Sequence, residues 1–258
     1  MRLLWAIFRI GAQSELAYRA NFVVRLFQTL LELGTALAGL AVFFSYTETL
    51  GGWRADDIAA LLGVYFLIGG VISLVIQPSM QEFVESVRDG RLDMTLFKPE
   101  DAQLLVSLQK VDVWGLFDVG MGLGVLAVAL VRLGGRLGIG QALTFGVMLV
   151  AGVAIVYAFW LILATLSFWF VRVENILMIF QSMYEAGRWP VTLYPGWLRY
   201  GLTFLVPVAF ATTVPAEALT GRLKPGMLAG ALVMAAVLLV LSRIFWKIGL
   251  RRYSGASA

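Results

Sequence analysis

The chain has 258 residues, of which 60% are hydrophobic and only 14% are charged. A soluble domain has about 45–50% apolar and about 25% charged residues, so these proportions exclude an ordinary soluble domain and indicate an integral membrane protein. The net charge of +4 does not indicate nucleic-acid binding, because Lys and Arg stand at the ends of apolar segments instead of clustering on one face.

The residue types that the chain lacks limit its chemistry. It contains no Cys and no His, which excludes disulfides, thiolate chemistry and imidazole acid–base catalysis. No Gly-Lys dipeptide occurs, so the phosphate-binding pattern G-x-x-x-x-G-K-[ST] is missing. We therefore predict that the chain is not an enzyme and holds no cofactor or metal, and that any ATP and Mg²⁺ used with it are bound by another chain.

The first 21 residues predict a helix that lies in the membrane interface. Their apolar stretch is too short for a signal peptide and no small-residue cleavage site follows it. Leu3, Leu4, Ile7 and Phe8 share one side at helical spacing, which is typical of an interfacial helix. The alternative is a plain cytoplasmic lead-in.

Six apolar segments predict membrane crossings within a single all-α domain over residues 1–258. About 20 helical residues cover the hydrocarbon core of roughly 30 Å. Glycines at positions 63, 69, 70, 120, 122 and 124 predict close helix packing in the second and third spans. The predicted spans are Leu26–Tyr46, Ile58–Ile76, Val113–Val131, Ala142–Val171, Ile176–Tyr194 and Met227–Trp246.

Between the last two spans lies a segment with three prolines, residues 195–221, whose apolar stretch of about ten residues is too short to cross. We predict that it forms a re-entrant hairpin on the outer side. With the N-terminus inside, 13 of the 20 basic residues are cytoplasmic, which places both termini and residues 77–112 in the cytoplasm. An alternative fifth crossing at Leu198–Val214 would leave residues 173–197 cytoplasmic and fits the charge rule slightly better.

The only long polar segment between apolar spans is Gln77–Asp112. In its first half, four apolar residues share one side of a predicted amphipathic helix, which would lie on the membrane surface or dock on a partner. They are Met80, Phe83, Val84 and Val87. Gly90 is expected to end this helix, and Pro99 to start a second segment. The segment is interpreted as a cytoplasmic loop on which a partner acts; the alternative is a plain solvated loop.

Several charged or polar residues fall inside predicted spans. Glu32 and Asp118 each cost at least about 2.5–3.5 kcal/mol at a helix centre, so each is expected to face a partner or a wet cavity, unless Asp118 simply reaches the interface. Gln181, Glu185 and Arg188 share one helical face, with Glu185 and Arg188 placed to pair. This face predicts a pathway or a subunit interface; the alternative is helix–helix contact within one subunit.

An aromatic set, Trp189, Tyr194, Trp197, Tyr200 and Phe204, follows this face. Trp and Tyr favour the membrane–water interface, so the set predicts an anchor at the outer face. The alternative is an outer gate that a substrate passes.

Two stretches resemble a known family. Trp169–Arg222 resembles the permeases of ABC-2 type transporters, in which a charged turn, a span ending near a Tyr-Pro and a Pro-rich re-entrant hairpin follow one another. The corresponding residues are Arg172 and Glu174, then Pro190, Tyr194 and Pro195, then Pro207 and Pro215. Asp89–Asp112 is similar to the loop of one ABC-2 subgroup, in which Gly-x-Leu-Asp, Lys-Pro and an amphipathic helix recur.

The resemblance implies a permease of an ATP-driven exporter in a bacterial inner membrane. The expected partners are a cytoplasmic ABC ATPase dimer, which binds the ATP and Mg²⁺, a second permease that is a different but related chain, and membrane lipid. The substrate is expected to be lipid-like, amphiphilic or hydrophobic and to move by alternating access. An ATP-independent secondary transporter and a membrane scaffold are the alternatives.

With the resemblance, three sets of residues have expected roles. ATPase coupling is expected at Phe83, Val87, Gly90, Arg91, Leu92, Asp93, Lys98 and Pro99. The pathway or dimer interface is expected at Glu32, Gln181, Glu185 and Arg188. The outer gate is expected at Tyr194, Pro195, Trp197 and Pro207.

Overall fold

The computed structural model describes residues 19–134, 138–170 and 173–253, and these residues form helices and turns without a named strand. The predicted interfacial helix over residues 1–21 lies outside the described residues except for its last three positions, which begin α1. The α-helices are α1 Arg19–Tyr46, α2 Ala55–Val71, α3 Gln77–Arg88, α4 Asp93–Leu96, α5 Ala102–Ser107, α6 Gly115–Arg132, α7 Ile139–Thr165, α8 Glu174–Tyr184, α9 Gly196–Tyr200, α10 Val208–Ala211, α11 Thr213–Leu219 and α12 Pro225–Leu250.

Five helical segments of the described chain are long and apolar enough to cross a membrane, and a sixth candidate is a bent pair of helices. This confirms the all-α, multi-pass fold class. The core is centred on α2 and α7, where Leu61, Ile68, Trp160 and Leu161 are fully buried. The five segments are Leu26–Tyr46, Ala55–Arg88, Gly115–Arg132, Ile139–Phe168 and Pro225–Leu250.

The second span is much longer than a bilayer requires. A π-helical turn, Ile72–Ile76, joins α2 to α3, so that Ala55–Arg88 is one helix of 34 residues. At 1.5 Å per residue it is about 51 Å long, roughly 20 Å longer than the hydrocarbon core. We call the end to which α3 projects the loop end, and the end at the α1–α2 connection the turn end.

The prediction that the amphipathic helix with Met80, Phe83, Val84 and Val87 on one side lies on the membrane surface or docks on a partner is wrong. α3 continues the second span, and its apolar stripe is buried inside this chain. The ring of Phe83 lies 5.1 Å from that of Trp246 on α12 and 5.6 Å from that of Phe168 at the end of α7. An amphipathic pattern indicates only that the apolar face of a helix is buried. Here that face is buried against other helices of the same chain.

Glycines hold α2 and α6 in close antiparallel contact. Gly63 and Gly70 of α2 face the backbone of α6, Gly122 of α6 faces the backbone of α2, and Gly115 of α6 faces Leu74 in the π-helical turn that follows α2. A Cβ atom on Gly122 would lie 2.3 Å from the Leu67 nitrogen, a distance that no real Cβ atom adopts. The two backbones can approach this closely only because these positions carry no side chain.

The predicted glycine faces are thus partly correct. Gly63, Gly70 and Gly122 mediate the α2–α6 contact. Gly69 instead faces the Tyr184 ring, and a Cβ atom on Gly120 or Gly124 would have no neighbouring atom within 4 Å.

The chain passes from the loop end to the turn end between α7 and α9. Phe168 packs against Trp246 at the loop end, whereas Thr192 accepts a hydrogen bond of 3.2 Å from the Trp53 indole at the turn end. Within the predicted fifth span, Ile176–Tyr194, the structure has the 11-residue helix α8 and a 3-10 turn at Glu185–Arg188, and this stretch is not among the segments long and apolar enough to cross a membrane.

The next segment enters the bundle and returns. Gly196–Leu205 and Val208–Leu219 are bent by 70° relative to each other. Thr192, before the pair, and Arg222, after it, both contact the same side chain, because the Arg222 guanidinium lies 5.3 Å from the Trp53 ring centroid. Both ends therefore lie at the turn end, which favours the re-entrant hairpin over a crossing at Leu198–Val214.

We expect Gly122→Ala to destabilise the protein by about 1–3 kcal/mol, because the new methyl group collides with the backbone of α2. Thermal unfolding of the purified protein in detergent measures the effect. The matched control is Gly120→Ala, half a turn away on the same helix, where the methyl group meets open space. Equal melting temperatures for the two variants would contradict the close contact.

Candidate functional site

An ion pair inside the bundle joins the first span to the segment after α8. The Arg188 guanidinium donates to the Glu32 carboxylate on α1. The same guanidinium donates to the Tyr65 hydroxyl on α2 at 3.2 Å. Glu32 thus has the partner that its position inside an apolar span requires.

Asp118 forms a second polar contact between helices, separate from the Glu32–Arg188 ion pair. Its carboxylate accepts hydrogen bonds from Thr29 of α1 at 3.1 Å and from Ser73 of the π-helical turn at 2.9 Å. Asp118 itself belongs to the first turn of α6. The carboxylate therefore links three helical segments of the protein. The alternative, that the Asp118 side chain only reaches the membrane interface, does not account for these bonds.

These two polar contacts lie on the wall of one polar cavity of about 240 Å³, at which α1, α2, α6 and α8 meet. Gln181 also faces this cavity, and its Oε1 atom is buried without a hydrogen-bond partner among the described residues. A buried amide oxygen without a partner costs about 1–3 kcal/mol, so a donor from water or from a ligand is favoured here. The cavity walls include Gln28, Thr29, Glu32, Tyr65, Ser73, Gln77, Asp118, Gln181 and Tyr184.

The predicted polar face of the fifth span is divided by the structure. α8 ends at Tyr184, and the tighter 3-10 turn that follows breaks the spacing on which the prediction rested. Gln181 lines the cavity, Arg188 reaches Glu32, and Glu185 is exposed. Pairing of Glu185 with Arg188 is wrong for the described residues, because the guanidinium binds a carboxylate 156 positions earlier in the chain.

Sequence reasoning missed the neutral residues of this site. The Tyr65 and Tyr184 rings stack at 5.0 Å, and the Tyr184 hydroxyl donates to the Tyr65 carbonyl oxygen at 2.8 Å. Thr29 and Ser73 carry the bonds to Asp118. These residues could have been identified from the sequence as hydroxyl groups inside apolar segments, because a hydroxyl group in a membrane needs a polar partner.

The polar loop is pinned to the membrane part by its own hydrogen bonds. The Asp112 amide donates to the Leu74 carbonyl oxygen at 2.8 Å, where the loop returns to the π-helical turn. The Ser107 and Tyr157 hydroxyl groups lie 2.7 Å apart and join α5 to α7. The loop is therefore built onto α3 and α7.

A clamp holds the middle of this loop to the last span. The Asp101 carboxylate caps α5 by accepting from the Leu104 amide at 3.2 Å, and both of its oxygens bind Arg243 of α12. Arg243 also donates to the Gln103 side-chain oxygen at 2.8 Å. The Arg243 guanidinium, with the Leu104 amide, holds the pKa of the Asp101 carboxyl below its ordinary value.

The predicted coupling residues fall into two groups. Phe83 and Leu92 are fully buried, Val87 is half-buried, and Gly90 ends α3 with the predicted left-handed backbone, at a φ of 70°. Arg91 pairs within the loop, with Glu82 at 2.9 Å and Asp89 at 3.3 Å.

The second group forms the exposed tip of the loop. Lys98 and Pro99 are exposed, and Asp93 begins the short helix α4. Beside them lie two large apolar side chains that the sequence did not single out, Met94 at 75% exposed and Phe97 at 88% exposed. We call residues 93–99 the loop tip.

The predicted outer-gate residues are spread over residues 194–207 and do not form one cluster. The Tyr194 hydroxyl donates to the Ala186 carbonyl oxygen at 2.9 Å. Pro195 precedes α9 and Trp197 is exposed on it, whereas Pro207 is buried at the bend. Tyr200 and Phe204 stack at 6.4 Å and are also exposed, as an anchor in an interface would be.

This fold, with a partly exposed polar network among long apolar helices and a folded polar loop at one end, defines a multi-pass membrane protein. Residues 30–257 match the family model described as ABC-2 family transporter protein, and the chain belongs to this family. No curated protein and no solved structure matches it. The chain is therefore the permease of an ABC transporter, a membrane transport subunit that associates with an ABC ATPase and is not itself catalytic.

We expect Glu32→Gln and Arg188→Gln each to lower the melting temperature, because each leaves one member of the ion pair without its partner. The double variant should lose less than the two single losses added together, with a coupling energy of about 1 kcal/mol. Thermal unfolding of all four proteins in detergent measures this cycle. Additive losses would show that the ion pair contributes nothing to stability.

Proposed function

We propose that this permease exports a lipid-like or amphiphilic substrate from a bacterial inner membrane, with both termini and the 77–112 loop in the cytoplasm. A cytoplasmic ABC ATPase dimer, which binds the ATP and Mg²⁺, docks on the loop tip. The observation that carries the proposal is the exposure of Met94 and Phe97 on a loop that is otherwise folded against the bundle. Large apolar side chains exposed together at a projecting tip mark a protein contact.

The loop tip is mechanically connected to the pathway. α3 is the continuation of α2, and this continuous helix supplies Tyr65 of α2 and Ser73 of the π-helical turn to the polar cavity. A push on the tip would be transmitted along this helix to Tyr65 and Ser73, which bind Arg188 and Asp118. This arrangement supports ATP-driven alternating access at the polar cavity.

The second permease is proposed to cover the exposed side of α1 and α8. Phe27 and Leu31 of α1 and Met178 and Ile179 of α8 are exposed apolar residues beside the polar cavity. Glu32 is only partly covered within this chain, and a charge in a span is best shielded by protein. We propose that a different but related chain fills this place, so that Glu32, Gln181 and Arg188 line a shared pathway.

The alternatives drawn from the sequence are less well supported. An ATP-independent secondary transporter needs no exposed apolar tip at the end of a projecting helix. A scaffold needs no polar cavity with a buried, unpaired amide oxygen such as that of Gln181. Export, as the direction of transport, is an inference from the resemblance to ABC-2 exporters.

The test is to replace Met94 and Phe97 together by Ser and to measure two quantities. We expect the ATPase subunits to be recovered with the purified permease at least about tenfold less, since loss of two apolar anchors costs 2 kcal/mol or more. We also expect ATP hydrolysis to stop responding to the permease.

The matched control is Val131→Ser, which removes a side chain of similar exposure at the turn end and should leave both quantities unchanged. Thermal unfolding should be the same for all variants, because neither tip side chain is part of the core. Full recovery of the ATPase with the doubly substituted tip would contradict the docking proposal.

A further inference from the structure

An apolar cleft of about 500 Å³ lies between α1, α2 and α6, apart from the polar cavity. Its walls include Leu33 and Leu37 of α1 and Val125 and Val128 of α6. Every lining residue is apolar or glycine except two, which carry opposite charges. The volume is typical of a pocket that holds a small molecule.

The two charged residues stand at the same end of the cleft. Asp56 is the second residue of α2, and Arg132 is the last residue of α6. In the α2–α6 contact, Gly70 meets Val119 and Gly63 meets Leu126. The same antiparallel register continues to bring Asp56 level with Leu133, the neighbour of Arg132. Among the described residues, neither Asp56 nor Arg132 forms an ion pair.

The length of the cleft is close to the thickness of one leaflet of the hydrocarbon core. From Met121 to Arg132 the α6 wall is about 17 Å long at 1.5 Å per residue. One leaflet of the hydrocarbon core is about 15 Å thick. The charged end is the turn end, where both helices reach the membrane surface. The cleft therefore has the length of one acyl chain, with two charges at the level of the head group.

The cleft opens toward lipid and cannot stay empty. Gly124 and Val128 on its wall are exposed in this chain. Water is disfavoured against an apolar wall, and an unfilled void loses dispersion contacts. The hydrocarbon solvent of the membrane is therefore the natural filling, and the charges decide which lipid is held. A guanidinium prefers a phosphate, and a carboxylate prefers an amine.

We propose that the α1–α2–α6 cleft binds one acyl chain of a phospholipid whose head group carries a phosphate and a primary amine. The phosphate lies at Arg132 and the amine at Asp56. This site is separate from the polar cavity, and the inference does not depend on what the permease transports. α1 makes few contacts with α2. The bound acyl chain therefore fills the space between them and holds α1 in place.

The test measures retained lipid by native mass spectrometry of the full-length chain, purified with the subunits that it keeps. One sample is exchanged against micelles containing palmitoyl-oleoyl phosphatidylethanolamine, and a second against palmitoyl-oleoyl glycerol, which lacks the phosphate and the amine. We expect the unsubstituted protein to retain one phosphatidylethanolamine per chain. Arg132→Gln should lower its occupancy about tenfold, the loss of one charge-assisted bond, and leave the diacylglycerol unchanged.

Filling the cleft should expel both lipids. Gly124→Leu places a side chain where no atom lies within 4 Å of the new Cβ, so the fold should tolerate it. Val128→Trp fills the cleft mouth from an exposed position and serves as a second variant. The matched control is Gly230→Leu on α12, where the Cβ also meets open space and lipid retention should not change.

Three results would overturn the proposal: no lipid retained by the unsubstituted protein, retention unaffected by both filling variants, or equal loss with Gly230→Leu. If a second permease covers the cleft instead, Val128→Cys cross-links to that chain and no lipid is retained. The measurement uses neither ATP nor a transport assay. Its failure would therefore leave the docking of an ATPase on the loop tip unaffected, and the converse is also true.

Discussion

The contact between α2 and α6 is the constraint on which the rest of the structure depends. Four glycines bring the two backbones together, and their spacing permits one antiparallel register. That register brings Asp118 to Ser73 at one end of the pair and Arg132 to the level of Asp56 at the other. It thus positions both the polar cavity and the apolar cleft, which lie at different levels along α1.

A membrane protein must satisfy its polar groups internally, and this chain does so with few residues. Glu32 and Asp118, which lie inside spans, are each matched by side chains from other helices. At the loop end, one residue also makes two structural contacts, because Asp101 both caps α5 and binds Arg243. Each of these residues thereby joins segments that are distant in the chain.

Much of the fold could be predicted from the sequence, because length and hydropathy decide where helices cross a bilayer. The first span, Leu26–Tyr46, has the predicted bounds, and Gly90 ends its helix as expected. Partners distant in the chain could not be predicted, since neither hydropathy nor helical spacing relates Arg188 to Glu32 or Asp101 to Arg243. Amphipathicity predicted the apolar stripe around Phe83 without revealing that α7 and α12 cover it.

The wide turn at Ile72–Ile76 has a geometric consequence for everything beyond the bilayer. A π-helical turn holds one residue more than an α-helical one, which rotates the side chains that follow by about 100°. Beyond this turn, Met80 and Phe83 are fully buried against the bundle, and the Leu74 carbonyl oxygen inside the turn accepts a hydrogen bond from the Asp112 amide. The π-helical turn thereby contributes to the direction in which α3 extends beyond the bundle, and it also holds the end of the polar loop where the chain returns.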